Sequence, residues 1–165
     1  MPFEEELIRN SFSVRLWLRY ADHKRSTGSP LDAVYSVSER AVRLLPGSYK
    51  LWFNYLHQRV EDVADLCITD QRMEATNNAF ERCLVYMNKM PRIWLEYLEF
   101  LVYQGLVTRT RRTFDRCLRA LPVTQHHRIW PLYLKFVTNY EETSETAIRV
   151  YRRYSFLIFI CWIHV

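Results

Sequence analysis

The sequence predicts an all-α fold: a right-handed α-solenoid of about four helical hairpins. Three observations predict it. A Trp-x-x-Tyr pair recurs four times, as Trp17/Tyr20, Trp52/Tyr55, Trp94/Tyr97 and Trp130/Tyr133. The steps from Trp to Trp are 35, 42 and 36 residues, the period of stacked helical repeats. Only three glycines occur in 165 residues, too few for the positive-φ turns of a hairpin-rich β fold.

The chain starts with an acidic stretch, Glu4-Glu5-Glu6, the reverse of the basic start of a secretory signal. The first Trp opens an amphipathic helix that closes before Gly28-Ser29-Pro30. A second helix then carries Glu39-Arg40-Ala41 and runs toward Pro46. The second hairpin repeats this order from Trp52 through Glu81-Arg82-Cys83 to Pro91. Its 29 residues from Trp52 to Glu81 exceed the 21 from Trp94 to Asp115, so Val60 to Glu74 either lengthens the helices or bulges as a loop. In the third hairpin Trp94, Tyr97, Leu98 and Leu101 share one helical face. Gly105 marks its turn, and Asp115-Arg116-Cys117 leads to Pro122. The fourth has the same stripe at Trp130, Tyr133, Leu134 and Val137. Proline lacks the N–H a helix needs, so Pro46, Pro91 and Pro122 are expected to punctuate the ends of the second helices. The boundaries expected are 12–46, 47–91, 92–122 and 126–154 within an array over 1–154, followed by an apolar tail at 155–165. The four Trp and four Tyr side chains are the expected core, since a large aromatic buries about 150–250 Å².

Composition narrows the function classes. Hydrophobic residues make up 49% of the chain, which argues against disorder. A net charge of +5 favours acidic partners or nucleic acid at long range without locating a site. The four cysteines form no C-x-x-C pair and no zinc-finger spacing, so no metal is expected. Cys83 and Cys117 share the repeat position of Ala41, which suits buried free thiols in a reducing compartment. No Gly-rich loop, nucleophile elbow or H-E-x-x-H motif is present, so no catalytic residue, cofactor or small-molecule substrate is expected. The adjacent His126 and His127 do not have ligand spacing on a helix and are expected at a solvated connection. Arg109, Arg112, Arg116 and Arg119 are spaced 3, 4 and 3, which aligns four guanidiniums along one helix face. That stripe could meet phosphates or an acidic partner. Asp115, within a turn of Arg111, Arg112 and Arg119, could instead neutralise it internally. The tail from Phe156 to Val165 is too short to span a bilayer, has strand-forming residues, and could either aggregate or cap the last helix.

Trp-x-x-Tyr on one helix, with aromatic-Glu-Arg-small and a terminal Pro on the next, resembles the half-a-TPR (HAT) repeat. Further stretches are similar to one family, the XPA-binding, Syf-type pre-mRNA splicing factors. They include Arg9-Asn10-x-Phe12-Ser13-Val14 and Leu44-Leu45-Pro46-Gly47-Ser48-Tyr49-Lys50-Leu51-Trp52. Met87-x-Lys89-Met90-Pro91-Arg92-Ile93-Trp94, Thr110 to Arg116 and Leu121 to Pro131 add to them. The similarity covers residues 3 to 154. It implies a nuclear, non-enzymatic scaffold of the spliceosome, within the NineTeen-associated and intron-binding assemblies, with spliceosomal proteins as partners and a link to transcription-coupled repair. Direct RNA binding through the arginine stripe, or an inert truncated product, are the alternatives. Two departures stand out: Tyr35 is separated from Glu39 by Ser36-Val37-Ser38, which would shift that helix by a turn, and the last eleven residues leave the family pattern.

Overall fold

The computed structural model describes the backbone of residues 2–140 and 144–163, and the side chains of 3–140, 145 and 147–156. Among these residues every regular element is a helix. In chain order they are α1 (Pro2–Arg9), α2 (Val14–Ser26), α3 (Leu31–Leu44), α4 (Tyr49–Val63), α5 (Gln71–Met87), α6 (Pro91–Tyr103), α7 (Val107–Ala120), α8 (His126–Asn139) and α9 (Ser144–Ile163). The Trp helices are therefore α2, α4, α6 and α8, and the Arg helices are α3, α5, α7 and α9. The short α1 precedes the first hairpin. The chain forms two compact units, Met1–Met87 and Asn88–Val165.

Local chemistry sets the boundaries. Ser13 caps α2 by accepting the Leu16 amide at 3.4 Å. Gly28 and Gly105 sit at φ +67 just beyond α2 and α6, where the chain reverses into the Arg helix. A side chain there would be strained, because L-residues resist the left-handed region. Pro91 departs from the expected role. Helix α5 stops at Met87, and Pro91 is the first residue of α6, where its missing N–H would have lacked a partner anyway. Both options for 60–74 are realised: α4 and α5 are long, and a connection of residues 64–70 joins them.

In the first unit α2 packs on α3, α4 on α5, and the Trp helices α2 and α4 on one another. The second unit repeats this with α6 on α7, α8 on α9, and α6 on α8. Each interface buries the stripe on one helix face, which a lone hairpin could not cover. The four repeat Trp residues are 2–3% exposed and Tyr20, Tyr55, Tyr97 and Tyr133 are buried with them. Ala41, Cys83 and Cys117 are equally buried, and burial pushes the Cys117 thiol up to about 12. Helix α9 carries the backbone through Ile163, so the strand propensity of the tail is not expressed there. The packing of tail side chains from 157 onward lies outside the described residues. Among the described residues no helix is long and apolar enough to cross a membrane.

Candidate functional site

Three of the four repeat Trp residues are tied through the indole N–H. The indole N–H of Trp17 donates to the Ser11 carbonyl at 2.8 Å, that of Trp52 to Pro46 at 2.9 Å and that of Trp94 to Asn88 at 2.8 Å. In every case the acceptor lies six residues earlier, in the connection entering the Trp helix. The fourth unit breaks the pattern. There a 3₁₀ turn, Val123–Gln125, precedes α8, and the Thr124 carbonyl faces His127 Nδ1 at 2.8 Å. Trp130 Nε1 is buried without a hydrogen-bond partner among the described residues.

The Arg of the repeat lies over the Trp face. Arg40 is 5.4 Å from the Trp17 ring centre and Arg116 is 5.6 Å from that of Trp94. Repeat arginines also reach past their own hairpin to an acid two helices earlier. Arg40 binds Glu4 of α1 through two bonds of 2.8 and 2.9 Å. Arg82 binds Glu39 of α3 at 2.7 Å, and Arg153 of α9 binds Asp115 of α7 at 2.6 Å. The repeat Tyr completes the arrangement: Tyr20 donates to Glu4 at 2.9 Å, and Tyr55 donates to Glu39. Within the first unit acid, Tyr and Arg thus form a ladder from α1 to α3 and from α3 to α5, with the Tyr rung supplied by the intervening Trp helix.

The ladder's electrostatics follow from this geometry. The Arg40 guanidinium holds the Glu4 carboxyl down at about 2, against a cost of burial and with help from Tyr20. For Glu39 burial works upward, but Arg82 and Tyr55 together carry it below the ordinary carboxylate range. Burial, then the Asp115 charge, pushes Tyr133 up to about 12.

The first hairpin does not shift as its altered spacing suggests. Glu39 keeps its ladder contacts, so the register of α3 is intact. Elsewhere the residue before the acid stacks its ring on the next Tyr: Phe3 on Tyr20 at 5.3 Å and Phe114 on Tyr133 at 4.3 Å. In α3 that position is Ser38, and Tyr35, one turn earlier, supplies the ring instead. It meets Tyr55 edge-on at 6.1 Å and donates to Asp62 at 2.8 Å. Arg59 lies 4.5 Å from the Tyr35 ring centre and donates to the Tyr55 hydroxyl at 2.7 Å. Asp62 is held in turn by Arg25 at 2.7 Å.

The arginine stripe of α7 divides in two. Arg109 donates to the Tyr97 hydroxyl at 3.4 Å, and Arg116 leans on Trp94, so both are drawn back toward α6. Arg112 and Arg119 are exposed, and Arg119 donates to the Asp115 backbone carbonyl at 3.2 Å. The Asp115 carboxylate goes to Arg153 rather than to an arginine of its own helix, which corrects the internal pairing expected on α7. Of the two histidines only His126 departs from the expected solvent exposure. His127 is exposed, but His126 is 7% exposed, with Nε2 3.1 Å from the Leu121 carbonyl.

Two clefts of the first unit had no warning in the sequence. One of about 300 Å³ is lined by Val42, Pro46, Trp52, Arg82, Val85 and Tyr86, and its Val85 and Tyr86 edge is largely exposed. The other, of about 340 Å³, lies between α1 and α2 and gathers Arg9, Arg15 and Arg19. Among the described residues no group of three His, Cys, Asp or Glu side chains converges as a metal site would need.

Comparison with known proteins identifies the family. The family model described as "Pre-mRNA-splicing factor Syf1/CNRKL1 N-terminal HAT repeat" matches residues 1–158. A Drosophila melanogaster protein named pre-mRNA-splicing factor syf1 homolog is 56% identical over 154 residues, covering 93% of this chain and 17% of its own. The human pre-mRNA-splicing factor SYF1 is 54% identical, with 93% of this chain and 18% of its own covered. Pre-mRNA-splicing factor cwf3 of Schizosaccharomyces pombe is 44% identical over 155 residues, with 93% and 19% covered. The chain thus spans less than a fifth of the length of these relatives. With its hairpins, its Trp-x-x-Tyr helices and its matched length all in agreement, the chain belongs to the Syf1/CNRKL1 pre-mRNA-splicing factor family, as an N-terminal HAT-repeat segment.

Proposed function

We propose that the chain is a non-enzymatic protein–protein interaction scaffold of pre-mRNA splicing, acting in the nucleus with spliceosomal proteins as its partners. The observation that carries this reading is the identity of 54–56% to proteins named as splicing factors over 93% of the chain. The geometry supports it. The repeat's aromatic and charged groups are occupied in holding the hairpins together, and among the described residues no constellation resembling an acid–base pair or activated nucleophile is left over. What the folded hairpins offer outward is shape: helix faces and the cleft edged by Val85 and Tyr86. The Arg112 and Arg119 side of α7 is read as a solvated surface, because half of its stripe is drawn into contacts with α6.

Affinity purification of the chain from nuclear extract, with and without RNase, followed by mass spectrometry, tests the reading. Recovery of splicing factors that resists RNase is the expected result. Recovery that disappears with RNase would replace the scaffold by an RNA-binding module, and recovery of nothing would mark the chain as inert on its own.

A further inference from the structure

The cleft between α1 and α2 concentrates positive charge that the fold does not use. Arg9 comes from the end of α1, Arg15 and Arg19 from α2, with Asn10 and Ser13 of the connection between them. Among the described residues Glu6 is the only acid in the lining. Elsewhere in this unit Arg25, Arg40 and Arg82 are each held by a carboxylate, Asp62, Glu4 and Glu39 in turn. Arg9, Arg15 and Arg19 have no ion pair or hydrogen bond among the described residues.

The position of these arginines is unfavourable for the fold alone. Arg15 stands in the first turn of α2, at the positive end of the helix dipole, and that turn has no acid. Arg19 follows four residues later, so two like charges share one helix face. The other Trp helices avoid this: the basic residue two before Trp is paired in sequence with Asn54 after Lys50, Glu96 after Arg92 and Leu132 after Arg128. The position of Arg9, eight before Trp17, is held by Leu44, Tyr86 and Pro122 in the later repeats. The triad is therefore peculiar to this end of the first unit and is not a repeat requirement. In the connection that supplies Asn10 and Ser13 to the lining, Phe12 is 72% exposed.

A cluster of guanidiniums around one cleft, with an exposed aromatic in the connection that supplies part of its lining, is the arrangement that single-stranded nucleic acid uses, phosphates on the arginines and a base on the ring. An acidic peptide would use the charge but has no need of the ring. We propose that the cleft between α1 and α2 binds single-stranded RNA, with Arg9, Arg15 and Arg19 on successive phosphates and a base stacked on Phe12.

The test is fluorescence anisotropy of a labelled oligouridine of about 12 nucleotides with the full 165-residue chain across a salt series. Three phosphate contacts give a log–log salt slope of about −2, at about −0.7 per contact on a single strand. Arg9→Gln, Arg15→Gln and Arg19→Gln together should flatten that slope to near zero. Phe12→Ala should weaken binding by about fivefold or more with the slope unchanged. All four side chains are exposed, and circular dichroism melts matching the parent would show that the variants fold. A variant with the same loss of charge elsewhere, Arg112→Gln, Arg119→Gln and Arg128→Gln, should retain the slope. Equal loss in both triple variants would overturn the site in favour of diffuse attraction. An unaltered slope in the cleft variant, or displacement of RNA by polyglutamate at lower concentration than by unlabelled oligouridine, would overturn it as well.

Discussion

Trp94 shows how one residue can serve several contacts. Its ring is buried, its N–H is tied to the Asn88 carbonyl, and its face carries Arg116. Replacing it with Ala removes all of these and leaves a cavity, so Trp94→Ala should cost about 3–5 kcal/mol in chemical denaturation. A loss under about 1 kcal/mol would mean that the surroundings collapse into the space. Glu4 makes a prediction of a different kind. Its carboxyl is held at about 2, below the ordinary 4.5, so the ionised form is the one the fold binds. Its contribution is complete above the ordinary value and disappears as pH falls through the folded one. The difference in Tm between wild type and Glu4→Gln should therefore be full at neutral pH, begin to close below about 4.5 and be gone near 2. A difference that persists at pH 2 would show that the charge is not what Glu4 contributes. At this scale the sequence was readable where one residue type recurs at one offset, as Trp, Tyr and the small Ala41/Cys83/Cys117 position do. It was unreadable where a partner is supplied by another helix. Nothing in the spacing on α7 tells that Asp115 turns to Arg153, and nothing near Ser38 tells that Tyr35 replaces the missing ring. His126 is buried because the 3₁₀ turn brings it to the Leu121 carbonyl, and a lone HisHis pair carries no signal of that turn.

Helices here are defined by how they end. Gly105 at φ +67 lets α6 reverse into α7, and its amide closes on the Val102 carbonyl at 3.1 Å. A Cβ at this position would meet no obstacle nearer than the Tyr140 hydroxyl at 3.7 Å, so the cost of Gly105→Ala is conformational rather than steric. A loss of roughly 1–2 kcal/mol is expected from forcing an L-residue into the left-handed region. No loss in a thermal melt would mean the turn can relax to negative φ. Glycine and proline punctuation made the hairpins legible before the structure. Pro91 shows its limit, because a proline between two helices can close the first or open the second. The sequence around Pro91 permits both; in the fold α5 ends at the buried Met87 and Pro91 opens α6. Helix α1 was invisible for a related reason. With eight residues it has too few turns to show a periodicity. Yet it presents Phe3 and Glu4 to α2 as α7 presents Phe114 and Asp115 to α8, so the aromatic–acid pair was the signal that could have found it.

At the scale of the whole molecule, the ladder decides how stability is distributed. Within Met1–Met87 the packed pairs join each helix to the next or next but one: α1 with α2, α2 with α3 and α4, α3 with α4, and α4 with α5. Ion pairs follow the same rule, Glu4 to Arg40 and Glu39 to Arg82, each reaching one hairpin onward. Such an array has no single central core whose loss unfolds everything. Its stability is close to a sum of local and nearest-neighbour contributions. Leu56, fully buried on α4, provides the probe. Leu56→Ala should cost about 2–5 kcal/mol locally, and hydrogen exchange should report it unevenly. Amides of α4 and α5, which lean on Leu56's helix directly, should lose the most protection. Those of α3 should lose less. Those of α1, two interfaces away, should lose the least, because its own contact is with α2 and its ion pair with Arg40 is untouched. Exchange measured by mass spectrometry on peptides from each helix would resolve the gradient. Equal loss of protection in α1 and α5 would contradict the nearest-neighbour account and make the first unit one cooperative block, in which the repeat is a relic of sequence rather than the element that carries the stability.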